Sequence, residues 1–291
     1  MEEVIKIENL YKSFGDVKAV NDLSLRVKQG ELFAFLGING AGKSTTISMM
    51  CGNLKIDSGK IYVCGKDVSK ESNFIKKQIG VVFQDSVLDE SLSVYDNLKY
   101  RAGLYGIVGE EFKKKYNELE LLFDLGEIKN KLLSKLSGGQ KRRVDIARSI
   151  IHNPQILILD EPTVGLDPKE RVKFRKLISS FASEKIVLLS THIVSDIEYI
   201  ADEIIILKKG RIENTGTIRY LLKDINKCVW ECLVPEKEVN RIEQVYTVSN
   251  RKYGEDGVVL RLISREKPFA NAKQVDPVLE DLYLFYFREG E

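Results

Sequence analysis

The sequence predicts an α/β fold: a sheet core interrupted by a helical insertion, with a small α+β appendage at the C-terminal end. Three observations predict it. The apolar runs 156–159 and 186–189 are too short for helices and are flanked by helical pattern, as buried parallel strands are. A glycine-rich loop at 37–42 joins an apolar strand to a helix-compatible stretch. From about 86 to 151 helical periodicity takes over and no strand pattern interrupts it.

In chain order, residues 4–7, 23–27 and 32–36 read as strands, with turns at Phe14-Gly15-Asp16 and Gln29-Gly30. A helix runs from Lys43 to about 54, and strands follow near 60–64 and 79–83. The insertion carries a helical stripe of Phe112, Tyr116, Leu119, Leu122 and Phe123. After the two buried strands, 201–215 reads as a hairpin turning at Lys208-Lys209-Gly210. Past Thr217 the pattern restarts: strands at 228–234, 246–249 and 258–263, then a helix over 277–287. The expected units are therefore 1–217 and an accessory domain of 218–291, with no internal repeat or low-complexity linker.

Lys and Arg number 45 against 43 Asp and Glu in 291 residues, and the tail from Arg219 carries 12 basic and 13 acidic residues. Neither part has the basic footprint of a nucleic-acid binder, so no nucleic acid is expected as a partner. The start, Met1-Glu2-Glu3-Val4, lacks the positive charge of a secretory signal, and no apolar run approaches the roughly 20 residues that span a bilayer. The chain is expected to be cytoplasmic and to meet a membrane only through another protein. Cys51, Cys64, Cys228 and Cys232 lack disulfide-scaffold or zinc-ligand spacing, and Cys228 and Cys232 share one strand face, where packing explains them.

Gly37-Ile38-Asn39-Gly40-Ala41-Gly42-Lys43-Ser44 fits G-x-x-x-x-G-K-[ST] between a strand and a helix, the context its mechanism needs. Glycines let the backbone curl so that N–H groups and the helix start face phosphate oxygens; Lys43 adds a point charge and Ser44 a hydroxyl for magnesium. Gly37, Asn39, Gly40, Ala41, Gly42, Lys43, Ser44 and Thr45 are the expected phosphate-binding set. At the C-terminal end of the strand 156–159 stand Asp160 and Glu161, on the edge where ligands bind in open α/β sheets. Asp160 is placed for the magnesium shell, and Glu161 to orient or deprotonate the water attacking the γ-phosphate.

Leu136-Ser137-Gly138-Gly139-Gln140, followed by Lys141-Arg142-Arg143-Val144-Asp145-Ile146-Ala147-Arg148, resembles the signature sequence of ATP-binding-cassette (ABC) ATPases, which GTPases and kinases lack. Its light side chains leave a helix start able to meet an anion. The resemblance covers residues 4 to about 217 and implies a P-loop cassette with a RecA-like mixed sheet core, an antiparallel β subdomain and a helical subdomain. It implies ATP and Mg²⁺ as cofactors, and a two-fold dimer in which Ser137, Gly138, Gly139 and Gln140 face the partner's γ-phosphate. It further implies that Gln84 touches magnesium and the attacking water, that Asp167 in Gly165-Leu166-Asp167-Pro168 lies at the dimer interface, and that His192 contacts the γ-phosphate. Phe14 matches the aromatic that stacks on adenine, with Tyr11 as its competitor.

Leu92-Ser93-Val94-Tyr95-Asp96-Asn97-Leu98, with Ala102-Gly103-Leu104-Tyr105-Gly106 after it, resembles ATPase subunits of type-2 exporters, the drug-resistance and polysaccharide branch. Val278 to Leu284 resembles that branch's ending. The implied partners are a second cassette, expected as a homodimer, and a separate transmembrane permease docking near residues 84–98. The alternative is a non-transport ABC ATPase acting as a regulatory or assembly factor.

Overall fold

A computed structural model describes residues 3–287. Its centre is a six-stranded sheet of β3 (Leu32–Leu36), β6 (Ile79–Val82), β7 (Ile156–Asp160), β8 (Ile186–Thr191), β9 (Glu203–Lys208) and β10 (Arg211–Gly216), ordered β10-β9-β3-β8-β7-β6. All neighbours are parallel except β10, which turns back on β9 as the expected hairpin. Every residue of β3, β7 and β8 is buried, which is why these strands read as continuous apolar runs rather than alternating ones.

A second, antiparallel sheet carries β1 (Glu3–Phe14), β2 (Val17–Lys28), β4 (Ser58–Val63) and β5 (Lys66–Asp67) in the order β2-β1-β4-β5. Helix α1 (Lys43–Met50) follows the glycine loop and ends four residues short of the expected 54, because Gly52 takes φ +70° and turns the chain out. Helix α2 (Ser72–Gln78) carries only Ile75 as a buried residue, too little pattern to be read from sequence.

The helical insertion holds α3 (Val94–Gly103), α4 (Gly109–Phe123) and α5 (Gly138–Ile150). Phe112, Tyr116, Leu119 and Phe123 face inward at i, i+4, i+7 and i+11, whereas Leu122 sits off that stripe and is 47% exposed, correcting the five-residue reading. Helices α6 (Pro168–Ala182) and α7 (Val194–Ile197) flank β8 in sequence.

The C-terminal part begins with α8 (Ile218–Leu221), capped by Thr217, and forms a sheet ordered β12-β13-β11-β14 from β11 (Val229–Val234), β12 (Thr247–Gly254), β13 (Gly257–Ile263) and β14 (Lys273–Gln274). It adds the short α9 (Val239–Glu243) and ends in α10 (Leu279–Tyr286). β12 runs five residues past the expected 249; residues 250–254 are all exposed and carry no apolar alternation. All four cysteines are free thiols, with Cys232 buried in the appendage's own core.

Candidate active site

The loop between β3 and α1 is shaped by close backbone approach. A Cβ on Gly37 would lie 2.5 Å from the Leu207 carbonyl, and one on Gly42, at φ +102°, 2.4 Å from the Ala19 carbonyl. The loop is thus held between β9 and β2, and only glycine fits. Without a ligand, Lys43 folds back and donates from Nζ to the carbonyls of Gly37 (2.7 Å) and Ile38 (3.2 Å). Ser44 is exposed at the helix start and Thr45 half-buried beside it, while Asn39 and Gly40 lie open on the loop.

Asp160 and Glu161 leave the end of β7 almost wholly buried. The Ser190 hydroxyl on β8 donates to Asp160 Oδ1. Glu161 takes φ +47°, and its N–H donates to the Ser190 carbonyl at 3.0 Å and to Ser190 Oγ at 3.2 Å. Its carboxylate lies 3.4 Å from Lys43 Nζ and 2.9 Å from His192 Nδ1, ion-pair distances without hydrogen-bond alignment, so both oxygens lack a hydrogen-bond donor from the protein. Burial lowers the Lys43 pKa, and the charges of Glu161 and Asp160 oppose that shift. A buried carboxylate left without donors, beside a buried ammonium and an open loop of N–H groups, fits a phosphate chain, its cation and a water.

His192 follows β8 and is partly exposed, facing Glu161. Helix α7 behind it is tied to the same turn: Thr163 Oγ1 donates to the buried Asp196 carboxylate. Gln84 is exposed just beyond β6. Phe14 is 52% exposed, with the Lys12 ammonium 5.5 Å from its ring centroid, whereas Tyr11 is half-buried and its hydroxyl pKa is raised by burial and by Asp22.

Ser137 caps α5. Its Oγ accepts from the Gln140 N–H at 3.2 Å, and Gln140 Oε1 accepts from the Ser137 N–H at 3.0 Å, a capping box. Gly138 and Gly139 form the first turn, and a Cβ on Gly139 would strike the Glu170 carboxylate at 1.8 Å. Asp167 caps α6, its Oδ1 accepting from the Glu170 N–H at 2.8 Å. Gln140 and Asp167, read from sequence for the nucleotide, thus also terminate helices. Sequence reasoning missed Ser190 and the Thr163–Asp196 pair, and gave Arg142 no role; Arg142 binds carbonyls of the Asp160–Glu161 turn from α5.

A phosphate loop after a central strand, paired carboxylates at the end of another, a histidine facing them and a glycine-started helix define a P-loop nucleotide hydrolase of the cassette class. The comparisons agree. Residues 20–164 match the family model described as ABC transporter. The chain is 35% identical to the bacitracin transport ATP-binding protein BcrA of Bacillus licheniformis over 89% of this chain and 85% of that protein. It is 36% identical to the linearmycin resistance ATP-binding protein LnrL of Bacillus subtilis over 74% of this chain and 69% of that one. Among solved structures, an ATP-binding subunit of an ABC transporter superposes with TM-score 0.70 at 27% identity, covering 76% of this chain and 92% of that one. A dimeric cassette in a post-hydrolysis state with ADP and Pi gives 0.66 at 29%, covering 73% and 98%. The chain belongs to the ABC transporter family, as an ATP-binding and ATP-hydrolysing subunit.

Among the described residues no helix is long and apolar enough to cross a membrane.

Proposed function

We propose that this subunit binds magnesium-ATP on the loop of residues 37–45, pairs with a second cassette, and uses hydrolysis to drive export through a separate membrane permease. The observation that carries the hydrolytic reading is Glu161. A carboxylate fixed by its own backbone, buried next to Lys43 and His192 and lacking a hydrogen-bond donor, is set to take a proton from water or to aim it.

In this reading the N–H groups around Gly40 and Gly42 and the start of α1 hold the phosphates, and Lys43 leaves the carbonyls of Gly37 and Ile38 for the outer phosphate oxygens. Ser44 and Asp160, with Gln84, would hold magnesium, which when bound draws charge from the phosphate oxygens. His192 steadies the γ-phosphate beside Glu161. Phe14, exposed where Tyr11 is engaged with Asp22, is the better platform for adenine. Ser137, Gly138 and Gly139, with Asp167 nearby, meet the nucleotide of the partner cassette, as dimeric relatives with ADP and Pi suggest.

Export is supported by the relatives, one named for bacitracin transport and another for linearmycin resistance. A groove of about 850 Å³ lined by Val81, Phe83, Val87, Leu92, Tyr100 and Leu104 suits a cytoplasmic helix of the permease. That site would put the chain on the inner face of the membrane through its partner.

The test compares ATP hydrolysis by the wild type and Glu161→Gln, with column sizing with and without ATP. The variant should bind ATP, elute as an ATP-stabilised dimer and lose turnover by a factor of about 100 or more. Undiminished hydrolysis would remove Glu161 from its role.

A further inference from the structure

Arg142 lies one turn into α5, is 9% exposed, and spends its guanidinium on four backbone carbonyls. Nε donates to Pro162 O at 2.7 Å, Nη1 to Phe83 O at 2.8 Å, and Nη2 to Glu161 O at 2.9 Å and Asp160 O at 3.2 Å. Three of these acceptors are consecutive and bracket Glu161, whose φ of +47° is unfavourable for a side chain-bearing residue and must be held from outside. Ser190 holds the turn at the Glu161 N–H, and Arg142 holds it at the carbonyls.

The fourth acceptor, Phe83, immediately precedes Gln84. The approach is built in: Gly80 on β6 lacks the Cβ that would sit 2.2 Å from the Ser149 carbonyl, so α5 lies hard against the strand leading to Gln84. A rigid guanidinium fork serves two separated segments at once, which a single ammonium at the end of a flexible chain cannot do in the same geometry.

We infer that Arg142 is a positioning residue for hydrolysis, fixing the Glu161 turn and the start of the Gln84 loop relative to each other and to the helix that begins at Ser137. The inference rests on the roles proposed for Glu161 and Gln84. It gives α5 a second task besides presenting its N-terminus: the helix that meets one nucleotide also carries the clamp on the catalytic turn of its own subunit.

The experiment uses the full chain at concentrations that favour pairing and measures fluorescent-ATP binding, KM for ATP, and kcat per bound nucleotide. Arg142→Lys and Arg142→Gln are compared with wild type. Arg143→Lys is the control, since Arg143 reaches only the carbonyls of Phe123 and Asp124 and the exposed Asp124 carboxylate. The Arg142 variants should lose about 100-fold in kcat per bound nucleotide, the scale of an ångström of misplacement, with KM and nucleotide affinity unchanged and the control matching wild type. Unchanged kcat overturns the assignment. Loss of nucleotide binding in parallel with kcat also overturns it, as does failure of both Arg142 variants to fold, because either makes Arg142 a residue of the fold alone. Glu161→Gln is run alongside: turnover there sinks the reading of Glu161 itself, independently of the Arg142 comparison.

Discussion

Gly42 and Glu161 both hold left-handed backbone beside the nucleotide loop, for opposite reasons. At Gly42 the absence of a side chain is required, since φ is +102° and a Cβ would stand 2.4 Å from the Ala19 carbonyl. Gly42→Ala should cost about 2 kcal/mol or more in chemical denaturation and cut ATP affinity at least about tenfold, because the N–H groups that face phosphate are displaced with it; a nucleotide titration checks the second. At Glu161 the side chain is required, and the surroundings bear the strain. This difference decides what could be read from sequence. The loop from Gly37 to Ser44 is legible because its conformation is encoded locally, in glycines whose spacing has one physical use. The supports of Glu161 are not: Ser190 is 30 residues from Asp160, Asp196 is 33 from Thr163, and Arg142 reaches back 59 residues to Phe83. Gln140 and Asp167 carried a legible second signal, Ser-x-x-Gln and Asp-Pro-x-Glu, which marks helix starts independently of any nucleotide.

The strands were legible where burial on both faces left unbroken apolar runs, and the helices where a stripe spanned several turns. α2, with one buried residue, and the far half of β12, with none, lacked either pattern. The seam between the helical insertion and β6 holds a consequence that neither pattern shows. His152, just after α5, stacks on Tyr105, just after α3, with centroids 3.9 Å apart and planes 3° from parallel, and its Nε2 lies 3.3 Å from the Ile79 carbonyl of β6. Burial first, then the charge of Arg101, lowers its pKa from 6.5 to about 4. Between these values the unfolded chain takes up the proton and the folded chain does not. The neutral ring's contribution is therefore complete above the unfolded pKa of about 6.5 and is lost as pH falls from there toward 4. Discounted for partial solvent screening, the loss is about 2 kcal/mol. Urea midpoints at pH 7 and pH 4.5 should separate more in the wild type than in His152→Phe, which keeps the stack but has nothing to protonate; equal separation would remove His152 from the acid response. The groove beside this seam belongs to the same scale. Val87→Glu, at a 55% exposed position on its lining, should leave ATP hydrolysis intact and abolish export if a permease helix docks there, as a paired hydrolysis and efflux assay would read.

At the scale of the molecule, the patterns that restart after Thr217 suggest a second domain, but the core is shared across that boundary. Leu221, Ile225 and Val229 at one end of the appendage, and Leu279, Leu282 and Phe287 at the other, belong to the same buried cluster as Ile197, Ile206 and Leu189 of the cassette. The appendage's own cluster is small, eight buried residues from Cys232 to Ala272. Its sheet is fastened to α10 by Asp281, fully buried, which accepts from Arg261 Nη2 at 2.8 Å, from Ser249 Oγ at 2.6 Å and from the Val278 N–H at 2.9 Å. Helix α10 in turn packs on α7, which follows His192, and the Tyr283 hydroxyl pKa is raised by burial and then by the charge of Glu161. The last helix of the chain thus lies behind the catalytic turn and completes the cassette's core. Leu282→Ala should therefore destabilise the whole chain, by about 3 kcal/mol, and calorimetry should show one transition moving down in temperature. An independent appendage would give two transitions with only the smaller one shifted. The fragment 1–217 should fare worse than the point variant, because it removes both ends of the shared cluster at once; a fragment that melts at the full chain's temperature and hydrolyses ATP normally would make the appendage a passenger, and the contacts of α10 with α7 incidental.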